Sequence, residues 1–355
     1  MNDVAPSDIR FERRGAAGVI TLDRPQALNA VTHDMVRALA ATLARWRDDA
    51  AVSRVVITAA GGRAFSAGGD IRALYELGIA GRQDEALGFW RDEYPLNALI
   101  KTYPKPYIAI IDGIVMGGGV GISLHGSHRV AGDGFRFAMP EVGIGFFPDV
   151  GATFMLPRLP GEIGTYLALT GERLNGDEAV AIGLATHRVP SARLPELLDA
   201  LSHGRPVETT LQGFAAPAGT AAILARRGMI DRAFAPSGVE DIIAALDREA
   251  TPGGPDADWA ARIAATIRTK SPLSLKIALA QMRRGPRLTF AGCMRTEFRI
   301  VSRIVHGHDF YEGVRAVIID KDNAPRWRPA ALAAVGEAEV ERHFAPLGSG
   351  ELDLP

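Results

Sequence analysis

Two glycine-rich segments and two acidic residues are the part of this sequence in which residue types and spacing suit chemistry. Residues 117–119 are three consecutive glycines at the start of an apolar run, and Glu141 and Asp149 follow on a stretch punctuated by proline and glycine. A second glycine-bordered segment, residues 65–70 (FSAGGD), lies upstream. Backbone N–H groups at a helix start bind anions, and a carboxylate acts as a base or a nucleophile. These groups fit chemistry at an acyl carbonyl, whose oxygen becomes negative during the reaction.

Gly69 and Gly118 are the predicted N–H donors to that oxygen. A residue without a Cβ lets a ligand approach the backbone, and each glycine is predicted to begin a helix whose dipole favours an anion. The alternative is that these glycines only form tight turns. Two such loops after successive strands, with carboxylates downstream, favour an oxyanion hole. A nucleotide-binding loop is disfavoured because residues 117–121 do not fit G-x-G-x-x-G.

Each carboxylate also has a purely structural interpretation. Glu141 lies in an irregular segment, where it can form a loop salt bridge with Arg136 or Arg158. Asp149 precedes an apolar run and can be the N-cap of the next helix, a role compatible with a catalytic one. The sequence leaves both alternatives open.

A serine nucleophile is a competing hypothesis. Residues 121–125 (GISLH) partly resemble the nucleophile elbow G-x-S-x-G, but the final glycine is missing. Ser123 is also expected inside a helix and not at a strand-to-helix corner. We therefore disfavour Ser123 as a nucleophile.

Strands alternate with helices over the first 190 residues, which predicts an α/β fold with parallel β-α-β units. The predicted strands are 18–22, 55–58, 107–112 and 128–131, and the predicted helices are 32–48, 70–77, 84–102 and 120–125. Ligands in such folds gather at the carboxyl ends of strands, where both glycine loops are expected. The remainder is predicted to be mainly helical, with helices at 194–201, 221–234, 239–248, 258–267, 272–282 and 290–305. We predict an α/β core over residues 1–205, a helical region over 206–345 and a loose tail over 346–355.

Composition limits the partners and the compartment. The formal net charge of −1 and a pI near 6.7 favour neither nucleic acid nor an anionic membrane. The single cysteine, Cys293, cannot form an internal disulfide, and no Cys/His spacing resembles a metal site, so a reducing cytoplasm is expected. Residues 1–12 are expected to be neither a signal peptide nor a transit peptide. The excess of arginine over lysine is typical of a GC-rich bacterial coding sequence.

The two glycine loops resemble those of the crotonase (enoyl-CoA hydratase/isomerase) superfamily. Its members share F-[SC]-[AS]-G-x-D and G-G-G loops as the oxyanion hole, and this chain has FSAGGD at 65–70 and MGGG at 116–119. The resemblance implies a spiral of β-β-α units with a helical C-terminal region. In hydratases one catalytic glutamate lies three residues after the second oxyanion glycine, and the other follows the proline of the later loop. Glu141 matches the second position, but the first is Gly121, which argues against an ordinary hydratase.

This departure is similar to the 3-hydroxyisobutyryl-CoA hydrolase branch of the superfamily. That branch has M-G-G-G-V-G, F-A-M-P-E and F-P-D-V-G, which match residues 116–121, 137–141 and 147–151. Further matches extend the resemblance over about residues 15 to 330. It implies that Glu141 and Asp149 are catalytic and bind substrate together with Gly118. Glu93, which pattern alone predicts to be a solvated helix residue, stands where that branch has a further substrate-contacting glutamate.

The implied activity is hydrolysis of a short-chain 3-hydroxyacyl-CoA, most simply 3-hydroxyisobutyryl-CoA in valine breakdown. Coenzyme A would be part of the substrate, so no cofactor and no metal are expected. Partners are expected to be the acyl-CoA and possible further copies of the chain, since the superfamily often forms trimers. The alternatives are an isomerase or atypical hydratase that uses Glu141 alone, and a noncatalytic acyl-CoA-binding protein.

Overall fold

The structure is a computed structural model that describes residues 8–354. Residues 1–7 and 355 lie outside it, and with them parts of the predicted N-terminal segment and tail. Within the described range the strands are β1 Ile9–Arg14, β2 Ala17–Leu22, β3 Arg54–Ala59, β4 Ala64–Ser66, β5 Tyr107–Ile111, β6 Ile114–Met116, β7 His128–Ala131, β8 Arg136–Ala138, β9 Leu174–Asn175 and β10 His187–Arg188.

The α-helices of the same range vary from one turn to five. They are α1 His33–Asp48, α2 Ile71–Ile79, α3 Gln83–Lys101, α4 Gly118–Gly121, α5 Ala152–Met155, α6 Ile163–Thr170, α7 Gly176–Ala181, α8 Leu194–Ser202, α9 Val207–Phe214, α10 Ala222–Ala225, α11 Arg227–Phe234, α12 Val239–Glu249, α13 Ala257–Arg268, α14 Pro272–Arg284, α15 Phe290–Ile304, α16 His308–Val314 and α17 Glu337–Phe344.

Two sheets carry the strands. The larger has the order β1-β2-β3-β5-β7-β10, with β1 antiparallel to β2 and the other neighbours parallel. Its central strands β3 and β5 are rich in valine and isoleucine and buried on both faces, as is typical of parallel strands. The smaller sheet has the order β4-β6-β8-β9, in which the first three strands are parallel. The predicted α/β class with a parallel sheet is confirmed.

Strands β3 to β8 alternate between the two sheets, which produces a repeating β-β-α pattern. β3 of the large sheet is followed by β4 of the small one and then α2, and β5, β6 and α4 repeat the order. Each glycine loop therefore follows a strand of the small sheet. Equivalent strands of successive repeats are parallel neighbours, so their carboxyl ends lie along one edge.

By its contacts the chain divides into two compact units. The first comprises Met1–Asp70, Asp92–Ala138 and Arg173–Leu224, and the second comprises Ile71–Arg91, Met139–Glu172 and Ala225–Pro355. In the first, one face of the large sheet packs against α8 and α9 through the buried side chains of Ala17, Val19, Val56, Ile108, Ile110, Val130, Val189, Leu194, Leu197, Leu201, Val207 and Leu211. The boundary predicted at residue 205 stays a prediction.

The second unit is helical and contains an aromatic cluster. The rings of Trp90 and Phe146 stack with centroids 5.6 Å apart, and Phe146 lies 4.6 Å from Phe147 and 5.5 Å from Phe310. Stacked and edge-on aromatic pairs add about 0.5–1.5 kcal/mol each beyond the area that they bury. This cluster anchors the residues that lead directly to Asp149.

Most predicted elements are present within a few residues of their expected bounds, α1 with Thr32 as its N-cap among them. Two helices differ. The predicted helix 221–234 is interrupted between α10 and α11, and the predicted helix 120–125 is the single turn α4 followed by hydrogen-bonded turns. The strands of the small sheet were not predicted, because two or three residues are too few to show an alternating pattern.

The C-terminal tail is packed where the sequence predicted a loose one. Leu352 and Leu354 are buried, and their carbonyl oxygens accept hydrogen bonds from Arg295 of α15. Glu351 forms an ion pair with Arg299 on the same helix. These contacts join residues more than fifty positions apart, which local patterns do not reveal. Among the residues described, none of the helices combines the length and the apolar character that crossing a bilayer requires.

Candidate active site

The first unit holds the two predicted oxyanion loops side by side. β4 and β6 are parallel neighbours, with Ser66 paired to Val115, so the loops that leave their carboxyl ends start at the same edge. Gly69 lies on the first loop and Gly118 on the second.

Backbone hydrogen bonds fix the orientation of Gly69. The N–H of Val31 donates to the carbonyl of Gly68 at 2.8 Å, and the N–H of Asp70 donates to the carbonyl of Val31 at 2.9 Å. Because these two bonds flank Gly69 in an extended segment, its own N–H points to the opposite side. That N–H is directed away from Val31 and is suited to bind a ligand.

Gly118 is the first residue of α4, so no carbonyl one turn back accepts a bond from its N–H. The preceding Gly117 has φ of 44°, a left-handed conformation that favours glycine and turns the chain sharply into the helix. A Cβ added at Gly118 would lie 3.1 Å from the backbone nitrogen of Gly69 and 2.7 Å from Oε1 of Glu93. The two amides thus lie close together, with no space for a side chain between them.

Glu93 is buried, at 1% exposure, so the solvated residue expected from pattern alone was wrong. It belongs to a stretch of α3 whose other members Tyr94 and Asn97 are also buried. The structure therefore brings the Glu93 carboxylate beside Gly118 and Gly69. Asn97 lies one turn further along α3, and among the described residues neither polar atom of its amide has a hydrogen-bond partner.

The second unit holds the two predicted catalytic carboxylates. Glu141 begins a 3₁₀ turn, Glu141–Ile144, which ends at Gly145 in the left-handed conformation with φ of 68°. The side chain is buried, and its Oε2 has no hydrogen-bond partner among the described residues. The alternative of a loop salt bridge is wrong, because Arg136 and Arg158 both donate to backbone carbonyls.

Burial raises the pKa of Glu141 well above its ordinary value, and the negative charge of Asp149 raises it further. A base is most effective when its pKa lies near the working pH, so this environment suits proton transfer or nucleophilic attack. The same interaction shows that the two carboxylates lie near one another. Glu141 has the burial and the raised pKa expected of a catalytic carboxylate.

Asp149 begins a tight turn and is not the N-cap of α5, the structural alternative that the sequence left open. The N–H of Ala152 donates to the carbonyl of Asp149 at 2.9 Å, while Val150 and Gly151 have φ of 50° and 90°. Helix α5 starts at Ala152, with Gly151 as its N-cap and without a side-chain cap. The turn separates Asp149 from the first residue of the helix.

Glu297 is a buried acid that the sequence analysis missed. Its Oε2 accepts from the N–H of Gly151 at 2.7 Å and its Oε1 from the N–H of Thr153 at 2.9 Å. Burial raises its pKa to about 8, although these bonds oppose the shift. The sequence contained a signal for Glu297, because it lies one helical turn from both Cys293 and Val301 on the apolar face of α15. An acid in such a position needs a buried partner.

A second network supports the turn that carries Glu141. The N–H of Ser271 donates to the carbonyl of Val142 at 3.1 Å, and its hydroxyl donates to the buried carboxylate of Asp309 at 2.6 Å. A Cβ at Gly145 would lie 2.0 Å from the carbonyl oxygen of Asp309, so only glycine fits there. The turn is thus held by the backbone of residues distant in sequence as well as by its own backbone.

Ser123 does not have the geometry of a nucleophile. Its hydroxyl is fully buried and donates to the carbonyl of Gly119 at 2.6 Å, one turn back. The chemically competent groups are thus a pair of backbone donors with Glu93 in the first unit, and Glu141 with Asp149 in the second.

Comparison with known proteins gives a consistent family. The sequence profile of the Enoyl-CoA hydratase/isomerase family matches residues 17–344. The curated protein "3-hydroxyisobutyryl-CoA hydrolase, mitochondrial" of Danio rerio is 43% identical over 364 residues, covering 100% of this chain and 94% of the relative. The human protein of the same name is 41% identical, covering 98% and 91%.

Two solved structures are similar over nearly the whole chain but carry other names. A carnitinyl-CoA dehydratase from Mycobacterium thermoresistibile has a TM-score of 0.92 at 42% identity, covering 98% of this chain and 99% of that one. An enoyl-CoA hydratase from Rhodobacter sphaeroides has a TM-score of 0.89 at 40% identity, covering 98% and 100%. These likenesses confirm the predicted crotonase-like fold.

Proposed function

Because this chain belongs to the enoyl-CoA hydratase/isomerase (crotonase) family, we propose that it hydrolyses a short-chain 3-hydroxyacyl-CoA, most simply 3-hydroxyisobutyryl-CoA, to the free hydroxy acid and CoA. The observation that carries this choice within the family is Gly121. The position three residues after Gly118, where hydratases have a catalytic glutamate, has no side chain at all. The remaining acid, Glu141, suffices for hydrolysis but not for the paired acid–base addition of water to an alkene. The full-length similarity to proteins named 3-hydroxyisobutyryl-CoA hydrolase supports the same choice.

In the proposed reaction, the N–H groups of Gly69 and Gly118 stabilise the thioester oxygen as it becomes negative. Removing one such donor typically slows a reaction by about a hundred- to a thousandfold. Glu93 would bind the hydroxyl end of the acyl group, and Asp149 would orient water or that hydroxyl. These roles rest on the family resemblance and on the burial of both carboxylates.

Glu141 acts in one of two ways. As a nucleophile, its carboxylate oxygen forms a bond to the carbonyl carbon while the C–S bond breaks, and water then hydrolyses the mixed anhydride. As a base, it takes a proton from water, hydroxide attacks the carbonyl carbon, and the proton passes to the departing thiolate. Its raised pKa supports either route.

No cofactor enters this proposal, since CoA is both part of the substrate and the leaving group. We place the enzyme in the cytoplasm of a bacterium, on the evidence of its arginine-rich composition and single cysteine. The curated relatives are named as mitochondrial proteins. A role in valine breakdown and assembly into homo-oligomers are also part of the proposal.

Thiol release, followed with a thiol-reactive dye, tests the proposal. The substrates are 3-hydroxyisobutyryl-CoA and crotonyl-CoA, and the proteins are wild type, Glu141→Gln, and Glu76→Gln as a control at an exposed glutamate. We expect rapid release from the hydroxyacyl ester only, lost in Glu141→Gln by about 10²- to 10⁴-fold and kept in the control.

The competing functions give different results. The names of the two solved structures favour hydration or dehydration as the second candidate. Loss of crotonyl-CoA absorbance without thiol release would support that candidate and overturn the proposal. Binding of both esters without turnover would instead indicate a noncatalytic acyl-CoA-binding protein.

A further inference from the structure

The turn at 149–152 has a conformation that its sequence disfavours. Both central residues, Val150 and Gly151, have positive φ, and the N–H of Ala152 closes the turn on Asp149. Turns of this type favour Asn-Gly, Asp-Gly or Gly-Gly at the centre. A β-branched residue in the left-handed region costs about 1–3 kcal/mol and persists only where its surroundings impose it. Contacts from elsewhere must therefore hold the backbone next to Asp149.

Two helices of the same unit supply those contacts. Glu297 of α15 accepts from the N–H groups of Gly151 and Thr153. Gln281 of α14 donates from Nε2 to the carbonyl of Pro148 at 3.0 Å and to the hydroxyl of Thr153 at 2.7 Å. Both side chains are fully buried. The backbone is thus held immediately before Asp149 and immediately after Val150.

The chemistry of these bonds explains why an acid occupies position 297. Two backbone N–H groups converge on one side chain, and a carboxyl group, charged or protonated, offers an acceptor oxygen to each of them. An amide would turn an NH₂ group towards one N–H donor. Among the described residues Glu297 forms no ion pair, so its hydrogen bonds to these two N–H groups compensate its burial.

We propose that Glu297, assisted by Gln281, is a positioning residue that holds Asp149 in its catalytic orientation. This inference rests on the proposed function, because Asp149 has a catalytic role only there. Glu297 itself does not touch the reacting atoms in this scheme. Its effect on the rate passes through the turn and through Asp149.

A double-mutant cycle tests this route. Rates of thiol release are measured for wild type, Glu297→Gln, Asp149→Asn and the double variant. We expect Glu297→Gln to lower kcat by up to about 10²-fold, the cost of a misplacement near 1 Å, with KM changed by less than about threefold. The double variant should be no slower than Asp149→Asn alone, since residues that act as one unit are strongly non-additive.

Folding is followed in the same samples by thermal melting. Glu162→Gln is the matched control, because Glu162 is another acid of this unit that pairs with a helix residue, Arg283, without contacting the turn. We expect it to lower Tm while kcat stays at the wild-type value. If Glu297→Gln fails to fold, Gln281→Leu replaces it in the cycle, since that change removes the bonds to Pro148 and Thr153 from the other side.

The possible results separate the two claims. Effects that multiply in the double variant, or a Glu297→Gln enzyme with wild-type kcat beside a slow Asp149→Asn enzyme, would overturn the positioning role and leave the proposed function intact. An Asp149→Asn enzyme with full activity would remove the role of Asp149, and the inference with it. A slow Glu297→Gln enzyme with no further loss in the double variant would support the inference.

Discussion

The candidate site residues of the first unit and those of the second unit are positioned by different means. In the first unit, Gly69 and Gly118 are oriented by main-chain features, a strand end, a glycine with positive φ and backbone hydrogen bonds. In the second unit, Glu141 and Asp149 lie on turns held by residues distant in sequence, Glu297 through its side chain and Ser271 through its backbone N–H. The donors of an oxyanion hole are main-chain groups and need only a fixed backbone. A reactive carboxylate also needs an environment that adjusts its pKa. Residues from several distant parts of the sequence supply that environment.

A large effect is expected from adding a methyl group between the backbone donors. Gly118→Ala would place a Cβ 2.7 Å from Oε1 of Glu93 and 3.1 Å from the nitrogen of Gly69, so the loop or the carboxylate must move. We expect kcat for thiol release to fall by about 10²- to 10³-fold, as for the loss of an oxyanion donor. Gly213→Ala in α9 is the control, because a Cβ there meets nothing within 4 Å. A Gly118→Ala enzyme with wild-type kcat would show that Gly118 is not part of the oxyanion hole.

A smaller effect should distinguish the turns of the second unit by how the stability of the protein responds to pH. The pKa of Glu297 is about 8 in the folded protein and 4.5 in its ordinary environment, so the folded state binds the proton more tightly. The stability that this provides is present at low pH and is lost as pH rises through that window. We expect Tm of the wild type to fall with pH between these values, and Glu297→Gln to reduce that fall. A pH dependence of Tm unchanged in Glu297→Gln would contradict the raised pKa.

The smallest effect is expected from a side chain in the first unit. The hydroxyl of Ser66 makes only long contacts to Gly68, at 3.3 Å to its nitrogen and 3.4 Å to its oxygen. Bonds of that length are near the limit of useful geometry, so Ser66→Ala should cost at most about 1 kcal/mol of stability and change kcat by less than about threefold. Thermal melting and thiol release measure both. A tenfold loss of kcat would mean that side chains also position the glycine loops of the first unit.

The same contrast explains what the sequence could and could not predict. The glycine loops were found because their motifs are continuous in sequence and follow buried strands. Glu141 and Asp149 were found by the proline and glycine around them and by family resemblance. The bonds from Glu297 to the Asp149 turn join residues more than 140 positions apart, and no local pattern encodes such a pairing.

Two errors have the same physical origin. Asp149 has the residue type and spacing of an N-cap, yet the turn takes its place before α5. Glu93 has the charge of a surface residue, yet packing buries it beside Gly118. In both cases tertiary structure overrides a local preference, as is common at functional sites.

The single thiol of the chain has a practical consequence for these experiments. Cys293 is fully buried in α15, and burial raises its pKa to about 12. The thiolate is the form that reacts with dyes, so the folded enzyme should contribute almost no background to a thiol-release assay. Unfolding would expose one thiol per chain. The reagent that counts released CoA can therefore also count unfolded molecules in the same cuvette, and each variant can report its activity and its integrity together.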